Sequence, residues 1–429
     1  MTGDQRRAID EIGSDMARSI PMNRLLQGDV GCGKTLVAQY ALLLAVAHGN
    51  QAALMAPTEV LARQHANSLR KNLESSRVRI GLLTGSLSRA QRNELLSQTA
   101  AGDIDLLIGT QALLRDSLDF RRLALVIVDE QHKFGVEQRA KLRRDGTQPH
   151  YLVLSATPIP RTIAMTVFGD LDVSVIKEMP SGRPEKKTYL GDPALLESWW
   201  KFVDEQLATG RQAYVITPRV SESDSAEAAG AVQTAQQLAA GRFQHRRVGL
   251  LHGQLDSAAK EKVLGEFASG DLDILVATTV VEVGIDVPNA TVMTILDADR
   301  LGLAQLHQLR GRVGRGRLPG FVCAFPAAGT DAADHDRLQA FVKTSDGFEL
   351  AEMDLRLRGA GDLIGTRQHG ASWLRVADLA RDGDVAVAAR KVADKLLETD
   401  PDLAAPDLTK LKKQVMARHG ERLGIGDVG

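Results

Sequence analysis

Short apolar runs recur along the chain, each closed by polar or Gly/Pro residues. Arg24-Leu25-Leu26, Ala52–Met55, Leu123–Val128 and Tyr151–Leu154 form one set, and Ala213–Ile216, Thr291–Leu296 and Phe321–Phe325 form a second. Unbroken Val/Ile/Leu runs, as opposed to strict alternation, are what parallel strands buried on both faces require. The mostly apolar stretch from Leu36 to Ala47 instead predicts a helix. Two segments repeat without gaps: Arg79–Gly85 resembles Arg247–Gly253, and Gly102–Thr110 resembles Gly270–Thr278. In both pairs the copies lie 168 positions apart. Each unit predicts strand, Gly turn, amphipathic helix and second strand, so two copies of one α/β lobe are expected. Periodicity breaks at Glu178–Lys187, which predicts a linker, and the strand pattern fades after about Pro326. The expected fold class is α/β, with two tandem lobes of parallel sheet, 1–178 and 179–345. A mainly helical hairpin and loop region, 346–429, follows.

Length and composition bound this picture. A chain of 429 residues, 44% hydrophobic and 25% charged, has the makeup of a multidomain globular protein. No apolar run approaches the roughly 18 residues that a membrane span needs, and Met1–Arg7 lacks the apolar core of a secretory leader. Neither a membrane partner nor export is expected. Cys32 and Cys323 show no metal-ligand spacing, which predicts a reducing, cytoplasmic setting. With a net charge of −1, any nucleic-acid contact must be a local basic track. Aromatics at 4% argue against an extensive base-stacking platform.

The chemistry concentrates at strand ends. Gly28-Asp29-Val30-Gly31-Cys32-Gly33-Lys34-Thr35 fits G-x-x-x-x-G-K-[ST] between a predicted strand and a predicted helix. Glycines there let backbone N–H groups turn toward phosphates, Lys34 can reach the outer phosphates and Thr35 can ligate Mg²⁺. Asp129-Glu130-Gln131-His132 closes the run Leu123–Val128. Asp129 suits a carboxylate that holds Mg²⁺ through waters, and Glu130 one that polarises the attacking water. Ser155-Ala156-Thr157-Pro158 ends the next strand, either as a plain Ser/Thr turn or as a relay with Gln131 and His132 that senses the nucleotide. Gln308-Leu309-Arg310-Gly311-Arg312-Val313-Gly314-Arg315-Gly316-Arg317 could be a solvated basic turn or a phosphate-backbone patch. In the second lobe of an NTPase it could instead carry arginine fingers toward the γ-phosphate.

Taken in order, these motifs resemble those of the superfamily 2 helicases, and within them the RecG family. Thr2-Gly3-Asp4-Gln5 resembles the Q motif, Gly28–Thr35 motif I, Ala56-Pro57-Thr58-Glu59 motif Ia, Asp129–His132 motif II and Ser155–Thr157 motif III. Ala277–Pro288 resembles motif V and Gln308–Arg315 motif VI. Asn23–Gly31, Met55–His65 and Arg300–His307 read as RecG-like, and Arg358–Gln368 resembles the family's translocation motif. The resemblance implies two RecA-like lobes and an ATP-dependent DNA helicase that uses ATP and Mg²⁺. Its implied work is the remodelling of stalled forks and Holliday junctions by movement along duplex DNA.

It also implies site roles. The catalytic set is Glu130, Asp129, Lys34, Gln308 and the fingers Arg312 and Arg315. The nucleotide is held by Gln5, which reads adenine, and by Gly28, Asp29, Val30, Gly31, Cys32, Gly33, Lys34 and Thr35, with Thr35 and Asp129 on Mg²⁺. DNA is met by Pro57, Thr58, Arg63, Thr84, Gly85, Thr110, Gln111, Thr278, Thr279 and Glu282. Coupling falls to Gln131, His132, Ser155, Thr157, Gly284, Asp286, Arg358, Thr366, Arg367 and Gln368. The implied state is a monomer, with a single-strand-binding protein among its partners.

Three departures stand out. Met1 falls where the Q motif begins, so the family's N-terminal wedge domain is expected to be absent. Ala360 stands where the family often has proline. Cys32 puts a thiol at a helix N-terminus, which predicts alkylation that nucleotide protects against. Alternatives are the motor of a transcription-repair coupling factor, another duplex translocase, and a nucleotide-switched DNA clamp without processive movement.

Overall fold

The computed structural model describes residues 1–110, 113, 118–129, 148–156, 171–180, 182, 184–217, 224–279, 287–327, 329–330, 332–358 and 382–419. The chain forms two compact units, Met1–Ile159 with Asp170–Asp354, and Pro160–Gly169 with Leu355–Gly429. The first unit contains two sheets. Strands β1 (Asn23–Gly28), β2 (Gln51–Met55), β3 (Ile80–Leu83), β4 (Leu106–Gly109), β5 (Leu123–Asp129), β6 (His150–Ser155) and β7 (Asp172–Ile176) make the first. Their order is β3-β4-β2-β5-β6-β1-β7, and every pairing is parallel. Helices α1 (Gly3–Met16), α2 (Lys34–Ala47), α3 (Glu59–Asn72) and α4 (Arg89–Ala101) belong to the same lobe.

The second sheet is built from β8 (Lys186–Leu190), β9 (Gln212–Ile216), β10 (Val248–Leu251), β11 (Ile274–Ala277), β12 (Ala290–Ile295) and β13 (Gly320–Ala324), in the order β10-β11-β9-β12-β13-β8. This is the first order again, with β8 in the place of β1. Its helices are α5 (Leu196–Ala208), α6 (Asp224–Ala240), α7 (Ser257–Ser269), α8 (Leu303–Arg310), α9 (Ala332–Lys343) and α10 (Gly347–Arg358). The second unit contributes α11 (Gly383–Thr399) and α12 (Thr409–His419). Among the described residues, no helix is long and apolar enough to cross a membrane.

The repeat extends to individual bonds. Arg79 clamps Asp105 through Nε (3.1 Å), Nη2 (2.8 Å) and its backbone N–H (2.8 Å), while Nη2 also donates to Gly102 O. Arg247 does the same to Asp273 at 3.1, 2.7 and 2.8 Å, and to Gly270 O. Gly102 and Gly270 close α4 and α7 at φ 82° and 85°, the left-handed C-cap that only glycine adopts cheaply. Buried apolar residues cover both faces of each sheet, as parallel strands demand.

A matched pair of glutamines ties each sheet to its helix. Gln51 Nε2 donates to Thr99 O (2.9 Å) and Ile104 O (2.7 Å), and its Oε1 accepts from Arg122 N (3.0 Å). Gln212 Nε2 donates to Phe267 O and Leu272 O in the second lobe. Gln51 is 4% exposed, so Gln51→Ala would strip Ile104 O and Arg122 N of their amide partner in a buried site, while Thr99 O keeps the Gly102 N–H at 3.1 Å. The expected loss is about 2–3 kcal/mol in urea unfolding. A loss under about 0.5 kcal/mol would mean that water replaces the amide.

Two expectations change. The linker predicted at Glu178–Lys187 is shorter, because β8 already begins at Lys186. Alternate residues of β8 are exposed, so its sequence lacks the apolar run that marks the inner strands. Leu350 and Met353 of α10 pack into the second lobe's core, which carries that unit to Asp354, past the expected boundary at 345.

Candidate nucleotide site and lobe junction

The loop after β1 has its shape imposed by glycine. A Cβ on Gly28 would overlap Cys32 Sγ and stand 2.9 Å from Ile176 O. Gly31 and Gly33 have φ of 80° and 93°, which L side chains rarely adopt. The chain then enters α2 at Lys34, so amide N–H groups and a helix N-terminus converge where an anion would sit. Lys34 Nζ lies 2.7 Å from Gly28 O and 2.9 Å from Asp29 O, so the ammonium closes over the loop's own carbonyls. Thr35 is exposed in the first turn of α2.

Neighbouring elements brace the loop. Thr2 and Gln5 form a capping box at the start of α1, and Gln5 Nε2 donates to Cys32 O at 2.7 Å. Gln5 is 2% exposed, so its amide meets the loop backbone. Asp4 Oδ2 accepts from Lys177 N (2.8 Å) and Glu178 N (3.0 Å), which fastens the start of the linker to α1. Asp129 ends β5, with Oδ2 2.7 Å from His65 Nε2 of α3. A loop with these dihedrals, a lysine over it and a carboxylate at the end of β5 fits a nucleoside triphosphate with Mg²⁺.

The second lobe meets the loop directly. His307 Nε2 of α8 lies 2.5 Å from Asp29 Oδ1, and a Cβ on Gly311 would stand 2.7 Å from Val30 Cγ2. Arg310 is buried beside them: Nη2 lies 2.8 Å from His307 Nδ1, and Nη1 donates to Phe341 O (2.9 Å) and Thr344 O (2.8 Å). Burial lowers its guanidinium to about 10. Burial pushes the Asp29 carboxyl up, but the His307 and Val30 hydrogen bonds and the Lys34 charge outweigh it and hold it below the usual value. Arg312 is half-buried next to Gly311, and Arg315 Nε donates back to Gly311 O at 3.0 Å. Gln308 is half-buried on α8.

The expected DNA residues divide. Pro57 and Thr58 start α3, where Thr58 caps Leu61 N, and Arg63 Nη2 donates to Ser86 Oγ at 2.6 Å. Gly85 is exposed, with its N–H on Glu59 Oε1, and Thr110 and Thr279 are half-buried after β4 and β11. Thr84 and Thr278, directly after β3 and β11, are buried, at 1% and 0% exposure. Ser155 is likewise buried at the end of β6. Glu130, Gln131, His132, Gln111, Thr157, Glu282, Gly284, Asp286, Thr366, Arg367 and Gln368 lie outside the described residues, as does the side chain of Arg358.

Cys32 is corrected. Its thiol is 0% exposed within the first lobe's core, so a reagent cannot reach it in the closed loop. Native protein is expected to take up iodoacetamide at Cys32 at least about tenfold more slowly than unfolded protein, with or without ATP. Fast labelling of native protein, read by mass spectrometry, would show that the loop opens. Sequence reasoning missed His65, His307, Arg310 and Asp4. The only signal for the pair on α8 was a His and an Arg at i, i+3 spacing within the basic motif.

Three families match successive parts of the chain: DEAD/DEAH box helicase at residues 2–166, helicase conserved C-terminal domain at 196–317, and ATP-dependent DNA helicase RecG, domain 3, C-terminal at 344–421. The chain is 48% identical over 426 residues to the ATP-dependent DNA helicase RecG of Bacillus subtilis, covering 99% of this chain and 62% of that protein. It is 45% identical over 425 residues to that of Synechocystis, covering 99% and 51%. A solved structure of RecG bound to a three-way DNA junction superposes with a TM-score of 0.75 at 42% identity, covering 90% of this chain and 50% of that one. The chain thus spans about half to three fifths of the length of these relatives. By these matches the chain belongs to the RecG family of ATP-dependent DNA helicases, of which it carries both helicase lobes and the C-terminal part of domain 3.

Proposed function

We propose that this chain is an ATP-driven motor on duplex DNA that remodels branched DNA, including stalled forks and Holliday junctions. One observation carries the reading: the phosphate loop of one lobe is touched by the α8 turn of a second lobe with the same strand order. Hydrolysis at such a site depends on the lobes being together, and a cycle of closure and opening can step along DNA. RecG relatives at 45–48% identity and a RecG structure on a three-way junction support the substrate class.

Bound ATP with Mg²⁺ would supply the transferable phosphoryl group. Lys34 would leave Gly28 O and Asp29 O for the outer phosphates, Gln5 braces the loop, and Thr35 and Asp129 would hold the metal. Glu130 accepts the proton of the attacking water, while Arg312 and Arg315, assisted by Gln308, stabilise charge from the second lobe. Pro57, Thr58, Arg63, Gly85, Thr110, Gln111, Thr279 and Glu282 meet DNA phosphates, with the buried Thr84 and Thr278 supporting them. Such contacts are sequence-independent and salt-sensitive. Gln131, His132, Ser155, Thr157, Gly284 and Asp286 relay nucleotide state, and Arg358, Thr366, Arg367 and Gln368 convert closure into pulling. The motor acts as a monomer in the cytoplasm, with a single-strand-binding protein as a partner.

The test is ATP hydrolysis and strand separation on a Holliday junction against linear duplex. Stronger stimulation by the junction is expected. Equal stimulation favours a coupling-factor type of translocase, and no displacement of a triplex strand in ATP favours a static clamp. Arg367→Ala is expected to keep most ATP hydrolysis and abolish junction unwinding. Unwinding at the unmodified rate would remove Arg367 from the coupling step.

A further inference from the structure

Asp29 places a carboxylate inside a loop that must accept a polyphosphate, where like charges repel. Its Oδ1 is engaged from the other lobe by His307 Nε2 at 2.5 Å, and locally by Val30 N–H. Both residues are buried, at 8% and 4% exposure. On its far edge His307 faces Arg310, whose Nη2 lies 2.8 Å from Nδ1. A guanidinium has donors only, so Nδ1 must accept and the ring is the neutral Nε2–H form. That N–H donates to Asp29.

Arg310 in turn donates to Phe341 O and Thr344 O at the C-terminus of α9, and its guanidinium stands 4.7 Å from the Phe341 ring centre. Thr344 Oγ1 bonds Glu349 Oε2 at 2.6 Å in the first turn of α10. In sequence, α10 runs directly into the Arg358–Gln368 motif.

We infer that His307 is a positioning residue that ties the phosphate loop of the first lobe to α9 and α10 of the second. The inference deepens the ATPase reading above and rests on it. When Lys34 leaves Gly28 O and Asp29 O, the Asp29 carbonyl loses the ammonium and keeps the Cys32 N–H at 3.2 Å. His307 is the side chain across the junction that carries that change to Arg310. A group that merely fills space at the junction needs neither a fixed tautomer nor a buried arginine behind it.

The experiment uses the whole 429-residue chain, ATP and a synthetic Holliday junction. His307→Ala should lower junction-stimulated kcat about tenfold while the KM for ATP moves less than about threefold. His307→Gln, which can still present an N–H to Asp29, should recover part of the loss. Asp29→Ala with His307→Ala should cost no more than Asp29→Ala alone, because both remove one link. Losses that multiply, a His307→Ala change under about twofold, or a loss that follows a lowered melting temperature would each overturn the role. The ¹⁵N shifts of the His307 ring should show a bare Nδ1 and a protonated Nε2, and a protonated Nδ1 would overturn it irrespective of activity. If the unmodified chain ignores the junction, the motor reading fails, and the ring shifts still decide the relay.

Discussion

Arg312→Ala should lower ATP turnover about 10³-fold or more, with nucleotide affinity changed far less. Gly311, immediately before it, is packed so closely on Val30 of the phosphate loop that a Cβ would stand 2.7–2.8 Å from that side chain. The turn is pinned from behind by Val313, which is 0% exposed, and from the side by Arg315 Nε on Gly311 O. Arg312 is thus held beside the loop while belonging to the other lobe. A cation delivered in this way acts on charge that develops during transfer, so its removal appears in kcat and not in ground-state binding. Arg312→Lys should rescue little, because an ammonium lacks the planar fork. Single-turnover hydrolysis, paired with titration of a fluorescent ADP analogue, separates the two quantities. A loss of turnover below about tenfold would move the finger role to another arginine.

Lys34→Ala should cost about 10²–10³ in kcat and weaken ATP more than ADP. The ammonium sits 2.7 and 2.9 Å from Gly28 O and Asp29 O, so the loop's own carbonyls hold the cation that the outer phosphates need. Its transfer from two carbonyls to a phosphate exchanges weak partners for charged ones, which are roughly twice as strong. The phosphate preference follows, since ADP offers the lysine fewer charged oxygens. ATP and ADP affinities measured side by side check this. Equal weakening of both would place Lys34 on the inner phosphates only. Melting curves of the same variant would show whether the tether also stiffens the loop.

Much of the architecture was legible in the chain itself. Continuous apolar runs mark the inner strands, and the 168-residue repeat predicts the second lobe. The strand orders, the Arg79–Asp105 and Arg247–Asp273 clamps and the glycine caps at Gly102 and Gly270 follow that repeat. Edge strand β8 was not legible, because a strand exposed on alternate residues carries too few apolar positions to stand out from a linker. Gln51 and Gln212 play one role in both lobes, yet lie off the common register of the repeat, so only their bonds reveal the equivalence.

The candidate site divides along the same line. Residues whose function depends on local backbone, such as Gly31, Gly33, Lys34 and Thr58, could be named from spacing, since the loop and helix start that they need are encoded within a few positions. Thr84, Thr278 and Cys32 looked available because a one-dimensional pattern does not report depth at the end of a strand, and all three are buried. The sequence by itself determined two α/β lobes, a phosphate loop and a basic turn on separate lobes. Only the tertiary structure decided which partners face each other across 278 positions of chain: Asp29 with His307, and behind it Arg310 with the end of α9. Neither the choice of partner nor the tautomer it imposes is written in any local pattern, because both depend on two folded lobes that bring buried donors and acceptors within hydrogen-bond reach.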